Sequence, residues 1–135
     1  MKTKFPWWIY VILVITILTS LVGVFGGYVD GTKFYAEFSA DLWSQKLVKH
    51  LAGMWASKNV GIIAVIVFCL VKNYRQGLAM MFLFKFISDT IDILFINVLY
   101  RDGDAAGIVS NIITWVILGG ASFIAYLYFD KNTKQ

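Results

Sequence analysis

From residue 5 to residue 29 the sequence contains no charged residue. Residues 7–25 of this run are long enough to cross about 30 Å of hydrocarbon as an α-helix that rises about 1.5 Å per residue. Lys2 and Lys4 precede the run, as in a signal peptide. However, the run exceeds the ~7–15 residues of a signal-peptide apolar region, and no small-residue cleavage site stands out. The sequence therefore predicts a retained first transmembrane helix.

Three further apolar stretches predict helices over about residues 42–71, 78–99 and 106–128, with a long outer loop over about residues 26–41. The second span itself covers residues 51–70. We expect its helix to begin at Leu42, because Asp41 can cap it and apolar residues recur at helical spacing. A separate amphipathic segment over residues 34–48, lying on the outer surface, is the alternative.

The composition supports one integral membrane domain over residues 1–135. Hydrophobic residues make up 59% of the chain, against about 45–50% in soluble domains. We therefore expect an all-α fold, a bundle of four transmembrane helices. The Lys and Arg count is six on the side of the termini and four on the other side, which places both termini in the cytoplasm by the positive-inside rule.

Several function classes fit the chain poorly. The net charge of +4 is modest, and the basic residues lie scattered at the ends of apolar runs, so we expect no nucleic-acid partner and interpret them as topology signals and contacts to lipid headgroups. The single cysteine, Cys69, forms no intrachain disulfide or Cys-x-x-Cys pair. The single histidine, His50, cannot build a histidine-rich metal site. We expect no metal, no cofactor and no catalytic residues.

Four charged residues lie inside the predicted spans: Lys58, Lys85, Asp89 and Asp92. A charge near the bilayer centre costs at least roughly 2.5–3.5 kcal/mol on insertion scales, so such residues usually have a partner or a function. On a helical wheel at about 100° per residue, Lys85, Asp89 and Asp92 fall within about 60° of arc. By depth, Lys58 is expected ~4 Å and Asp92 ~5 Å to the outer side of the bilayer centre, with Asp89 close to the centre.

This placement predicts two ion pairs, Lys58 with Asp92 and Lys85 with Asp89, between antiparallel second and third helices. Each lysine could also bridge both carboxylates. Polar residues expected to complete or line the cluster are Asn59, Ser88, Asn111, Thr114 and His50.

Two functional interpretations of the cluster stay open. In the first, it binds or conducts a proton, an ion or a small lipophilic ligand, because intramembrane ionisable residues are usually functional. In the second, the protein is a non-catalytic accessory or assembly subunit of a larger membrane complex, and the cluster only fixes helix register. A membrane enzyme acting on a lipid or quinone is a third, less favoured hypothesis. The expected partners are the lipid bilayer and either a second copy of the chain or another membrane protein.

Residues 51–103 contain a charged residue followed three positions later by glycine (Lys58 and Gly61), a short basic turn (residues 72–75) and a carboxylate midway along the third span (Asp89). With these features the segment resembles a group of small bacterial four-helix membrane proteins related to the DoxX-like families, whose function is unknown. The resemblance implies four helices, a charged interface between the second and third, and a bacterial inner membrane. The family usually has arginine followed by an acidic residue where this chain has Lys58 and Asn59, so a role that needs bidentate arginine geometry does not carry over.

Overall fold

The computed structural model describes residues 4–34, 39–96 and 105–133. Most of these residues lie in helices, and no strand occurs among them. The all-α prediction is therefore confirmed. The described part of the chain divides into two compact units: an N-terminal unit that ends at Val67 and a C-terminal unit that begins at Phe68.

The helices differ greatly in length. The long ones are α1 (Trp7–Tyr28), α4 (Lys46–Lys72), α5 (Arg75–Asp89) and α6 (Ala105–Lys131), and the short ones are α2 (Gly31–Phe34) and α3 (Ala40–Ser44). A π-helix, Thr90–Ile96, continues directly from α5. Helices α1, α4 and α6 are long and apolar enough to cross a membrane, which indicates a membrane protein.

The second transmembrane helix does not begin at Leu42 as expected. Ser39, not Asp41, caps the short helix α3, and its Oγ accepts a hydrogen bond from the backbone N of Leu42 at 3.3 Å. Gln45 then has extended backbone angles, with φ −72° and ψ 130°. Because an extended residue cannot continue the helical hydrogen-bond pattern, the helix is interrupted at Gln45 and α4 begins at Lys46.

The third helix also differs from the uniform α-helix expected over residues 78–99. It begins at Arg75 and changes to π geometry at Thr90. A π-helix bonds residue i to i+5 and so winds more slowly than an α-helix, which moves Asp92 off the position that the α-helical wheel gives it. Residues 97–99 of this prediction lie outside the described residues.

In the N-terminal unit, α1 and α4 pack through small residues. A Cβ added at Gly27 would lie 2.5 Å from Ala56 Cβ and would also overlap the backbone oxygen of Ala52. One turn earlier, a Cβ at Gly23 would lie 2.6 Å from Asn59 Nδ2. The two helices are antiparallel, because the later glycine meets the earlier residues of α4. Small residues permit this close approach of two backbones.

Buried and exposed residues occupy opposite faces of α1. The buried face is Ile9, Leu13, Thr16, Ser20, Gly23 and Gly27. The exposed face includes Val14, Leu18, Val22 and Phe25. A wide exposed apolar surface marks contact with lipid or with another protein, and this face therefore fits a membrane environment.

The C-terminal unit is built on the packing of α5 against α6. The rings of Phe82 and Phe129 stack with centroids 5.9 Å apart, and those of Phe86 and Phe123 lie 5.1 Å apart. Later residues of α5 thus meet earlier residues of α6, and the helices are antiparallel. Stacked and tilted aromatic pairs at these distances add to the packing energy.

A short polar turn follows α1. Asp30 Oδ1 accepts hydrogen bonds from the Thr32 hydroxyl at 2.6 Å and the Thr32 backbone N at 3.1 Å. These bonds, helped by Lys33 3.7 Å away, hold the pKa of Asp30 below its ordinary value because they favour the carboxylate. The turn therefore stays charged at neutral pH.

Candidate functional site

The centre of the candidate site is an ion pair in the last turn of α5. Lys85 Nζ donates to Asp89 Oδ2 at 2.7 Å. Only 9% of the Lys85 side chain and 14% of the Asp89 side chain are exposed. The two residues are four apart, so the helix itself brings their side chains together. The short distance is that of a charge-assisted hydrogen bond.

Lys85 and Asp89 need each other as partners because both side chains are largely shielded from solvent. A buried charge without a partner carries a desolvation penalty of several kcal/mol, and a well-formed ion pair offsets part of it. Lys85 lies in an otherwise apolar part of α5 with Met81 and Phe82, which are also buried. Asp89 thus provides the negative charge that this environment requires.

The junction between α5 and the π-helix is tied to α6 by a second polar contact. The Thr90 hydroxyl donates to the backbone oxygen of Phe86 at 2.7 Å, and Trp115 Nε1 donates to that same hydroxyl at 2.9 Å. A hydroxyl can donate once and still accept, so both bonds coexist. The Trp115 indole therefore holds Thr90, the residue that follows Asp89, against α6.

Sequence reasoning missed Thr90 and Trp115. A signal was present, because Trp115 lies well inside the apolar run of α6 rather than at its ends. A buried indole N–H usually finds an acceptor, and Thr90, beside the central carboxylate, was a candidate. Thr90 and Trp115 are uncharged, so a helical wheel of the charged residues on the third helix does not include them.

We expect Trp115→Phe and Thr90→Val each to lower the free energy of unfolding by about 1 kcal/mol, because each removes the same interhelical hydrogen bond. Since the bond is shared, the double variant should lose less than the sum of the two. The only cysteine, Cys69, is 2% exposed, so the rate of its alkylation in denaturant reports unfolding. Strictly additive losses would contradict a direct contact.

The other two charges of the predicted cluster lie on different elements. Asp92 is half-buried in the π-helix, and Lys58 is half-buried in α4. Lys58 belongs to the N-terminal unit and Asp92 to the C-terminal unit. The predicted Lys58–Asp92 pair joins residues of separate units and stays a prediction.

Two of the polar residues expected to line the site bond within their own helices. Asn59 is buried, and its Nδ2 donates to the Trp55 backbone oxygen at 3.0 Å. The Thr114 hydroxyl donates to the Ser110 backbone oxygen at 2.9 Å. Such bonds to the preceding turn satisfy a hydroxyl or amide locally. The Thr114 bond does not involve the Lys85–Asp89 pair, and Asn59 belongs to the other unit.

The remaining three residues have different environments. His50 is exposed near the start of α4, and Ser88 is half-buried beside Asp89 in α5. Asn111 is half-buried in α6, and its Nδ2 is buried with no hydrogen-bond partner among the described residues. A buried donor without an acceptor is costly, so Asn111 is a second polar feature of the C-terminal unit.

No group of three or more His, Cys, Asp or Glu residues that could hold a metal ion occurs within residues 4–34, 39–96 and 105–133. Comparison with protein-family models, curated proteins and solved structures finds no match to the chain. The DoxX-like resemblance stays a prediction.

Proposed function

We propose that this protein is a non-enzymatic membrane protein with four spans, in which the Lys85–Asp89 pair is a polar site for a proton or small cation. The observation that carries the proposal is the shielded contact of 2.7 Å between these two side chains. Intramembrane ionisable residues are expensive, and they commonly mark ion or proton pathways.

In this proposal α5 and the π-helix together form the third span in chain order, in addition to the spans α1, α4 and α6. Arg75–Asp89 alone would rise about 22 Å at about 1.5 Å per residue, and Thr90–Ile96 extends it. The buried pair would then lie at the depth of the hydrocarbon. With four spans both termini are on one side, and the Lys and Arg count favours the cytoplasm. The DoxX-like resemblance favours a bacterial inner membrane.

The chemistry open to the pair is exchange at the Asp89 carboxylate. A proton arriving at Asp89 would neutralise the acceptor of the Lys85 ammonium, and a small cation would compete with that ammonium for the same oxygens. Either event leaves Lys85 without its partner. Release of the proton or cation restores the pair, so binding is reversible.

Flux measurements with a variant that lacks both charges test this proposal. We expect wild-type protein in liposomes to move protons or K⁺ under an imposed gradient, and Lys85→Met/Asp89→Leu to abolish that movement. Replacing both partners leaves no isolated buried charge, so this variant should fold. A matched control is Lys33→Gln, which removes an exposed charge outside the long helices. Wild-type flux equal to that of protein-free liposomes would overturn the proposal.

Four helices enclose little volume, so we place any conducting path between copies of the chain. This motivates a homo-oligomer as the active form. Native mass spectrometry from lipid nanodiscs should then show an assembly of several copies. A monomer that nevertheless supports flux would contradict this part of the proposal.

The second candidate function is an accessory or assembly subunit of a larger membrane complex. It is favoured by the closed geometry of the Lys85–Asp89 pair, in which each charge is already satisfied by the other. Under this function, wild-type protein shows no flux, and Lys85→Met/Asp89→Leu folds and assembles normally.

A further inference from the structure

Three basic residues, Lys72, Arg75 and Lys131, lie toward one end of the C-terminal unit. Lys72 is the last residue of α4 and Arg75 the first of α5. The chain reverses between them in a tight turn, in which Asn73 has a φ of 52° and the Tyr74 backbone N donates to the Cys69 oxygen at 2.8 Å. Lys72 and Arg75 are therefore held close together by the backbone.

Lys131, the last residue of α6, lies toward the same end. The stacked rings of Phe82 and Phe129 fix the register of α5 against α6. Arg75 precedes Phe82 by about 10 Å along its helix, and Lys131 follows Phe129 by about 3 Å along the other. Because the helices are antiparallel, both displacements point the same way.

The charge at this end is unbalanced. Among described residues 72–75 and 128–133, three side chains are basic and one, Asp130, is acidic. Lys72 and Lys131 are exposed and Arg75 is half-buried. A guanidinium has five N–H donors, so Arg75 can serve one acceptor in the protein and still bind an oxygen anion.

An apolar border adjoins these cations. Val71 is 77% exposed, and the ring of Tyr74 is about half exposed beside them. Tyrosine is typical of the membrane interface, where its ring meets acyl chains and its hydroxyl meets headgroups. The combination suits a ligand with a phosphate head and an apolar tail, and a free anion would leave the apolar border unused.

We propose that Lys72, Arg75 and Lys131 form a binding site for the phosphate headgroup of an anionic phospholipid. Arginine binds phosphate oxygens in a bidentate manner, and the lysines add positive charge. The site is separate from the Lys85–Asp89 pair, so it stands whether or not the protein conducts ions.

The test titrates purified protein in a neutral detergent with phosphatidylglycerol and follows bound lipid by native mass spectrometry. We expect Lys72→Gln/Arg75→Gln to weaken phosphatidylglycerol binding roughly 30-fold, given about 5-fold per basic residue at a membrane surface. Phosphatidylcholine binding should not change. The matched control, Lys46→Gln/Lys49→Gln, removes two basic residues from the start of α4 and should leave phosphatidylglycerol binding intact.

An equal loss of phosphatidylglycerol binding in the two double variants, or no loss in either, would contradict the proposed site. Complete displacement of the lipid by inorganic phosphate at matched concentration would show that the ligand is a free anion, and would also overturn it. If Lys72→Gln/Arg75→Gln does not fold, Lys131→Gln provides an independent test with an expected loss of roughly 5-fold. Unchanged binding in that variant contradicts the proposal.

Discussion

Lys85→Met is expected to destabilise the protein by about 3–5 kcal/mol, because it leaves Asp89 buried without its partner. Asp89→Leu should have an effect of similar size for the opposite reason, since it strands the Lys85 ammonium. The contact that both variants remove is the 2.7 Å hydrogen bond between these shielded side chains. The midpoint of denaturant-induced alkylation of Cys69 measures the loss.

The variant Lys85→Met/Asp89→Leu is the control for this prediction. With both charges gone and the volume kept, its free energy of unfolding should return close to the wild-type value or exceed it. If the double variant loses as much as the two single variants together, the residues are not compensating one another. Losses below about 0.5 kcal/mol in the single variants would show that the pair is solvated, as surface pairs are.

Gly27→Ala is expected to have the second large effect, a loss of about 1–3 kcal/mol from overpacking. The added methyl group would lie 2.5 Å from Ala56 Cβ and would overlap the Ala52 backbone oxygen. Because a backbone oxygen in a helix cannot rotate away, α1 and α4 must separate. The same alkylation assay detects the separation. A second measurement replaces Tyr28 and Ser57 by cysteines, in a background without Cys69, and follows their cross-linking. In the wild-type protein the Tyr28 hydroxyl lies 2.6 Å from Ser57 Oγ.

Gly120→Ala provides the matched control. This glycine also lies within a long helix, α6, but an added Cβ would meet nothing within 4 Å. Alanine is favoured over glycine inside a helix by about 0.5–1 kcal/mol, so the control should be neutral or slightly stabilising. Equal losses at positions 27 and 120 would show that a general effect of glycine replacement, and not the α1–α4 contact, is responsible.

Local pattern predicted much of the helical structure. The uncharged run over residues 5–29 corresponds to α1, and the later apolar runs correspond to α4 and α6. Such predictions depend on composition and length, which need no knowledge of the neighbouring helices. The spacing of Lys85 and Asp89 likewise belongs to one helix, and the two side chains meet where that spacing places them.

Two details of the helices do not follow from the sequence period. The helix expected from Leu42 is interrupted at Gln45. The sequence did not predict this interruption, because the spacing of apolar residues does not mark a single extended residue. The backbone of the third helix changes to π geometry at Thr90, so an α-helical wheel does not describe the residues that follow. No local residue pattern identifies a π-helix, whose hydrogen bonds join residue i to residue i+5.

The sequence by itself therefore determined that this chain is helical, that it contains apolar runs long enough to cross a membrane, and that Lys85 and Asp89 share a helix face. Only the tertiary structure decided that Trp115 of α6 bonds Thr90, and that Gly27 lies against the backbone of α4. Hydrophobicity and helical spacing are properties of a single segment. The partner of an indole N–H or of a glycine depends on which helix packs beside it. That is fixed by the register of two segments far apart in the chain.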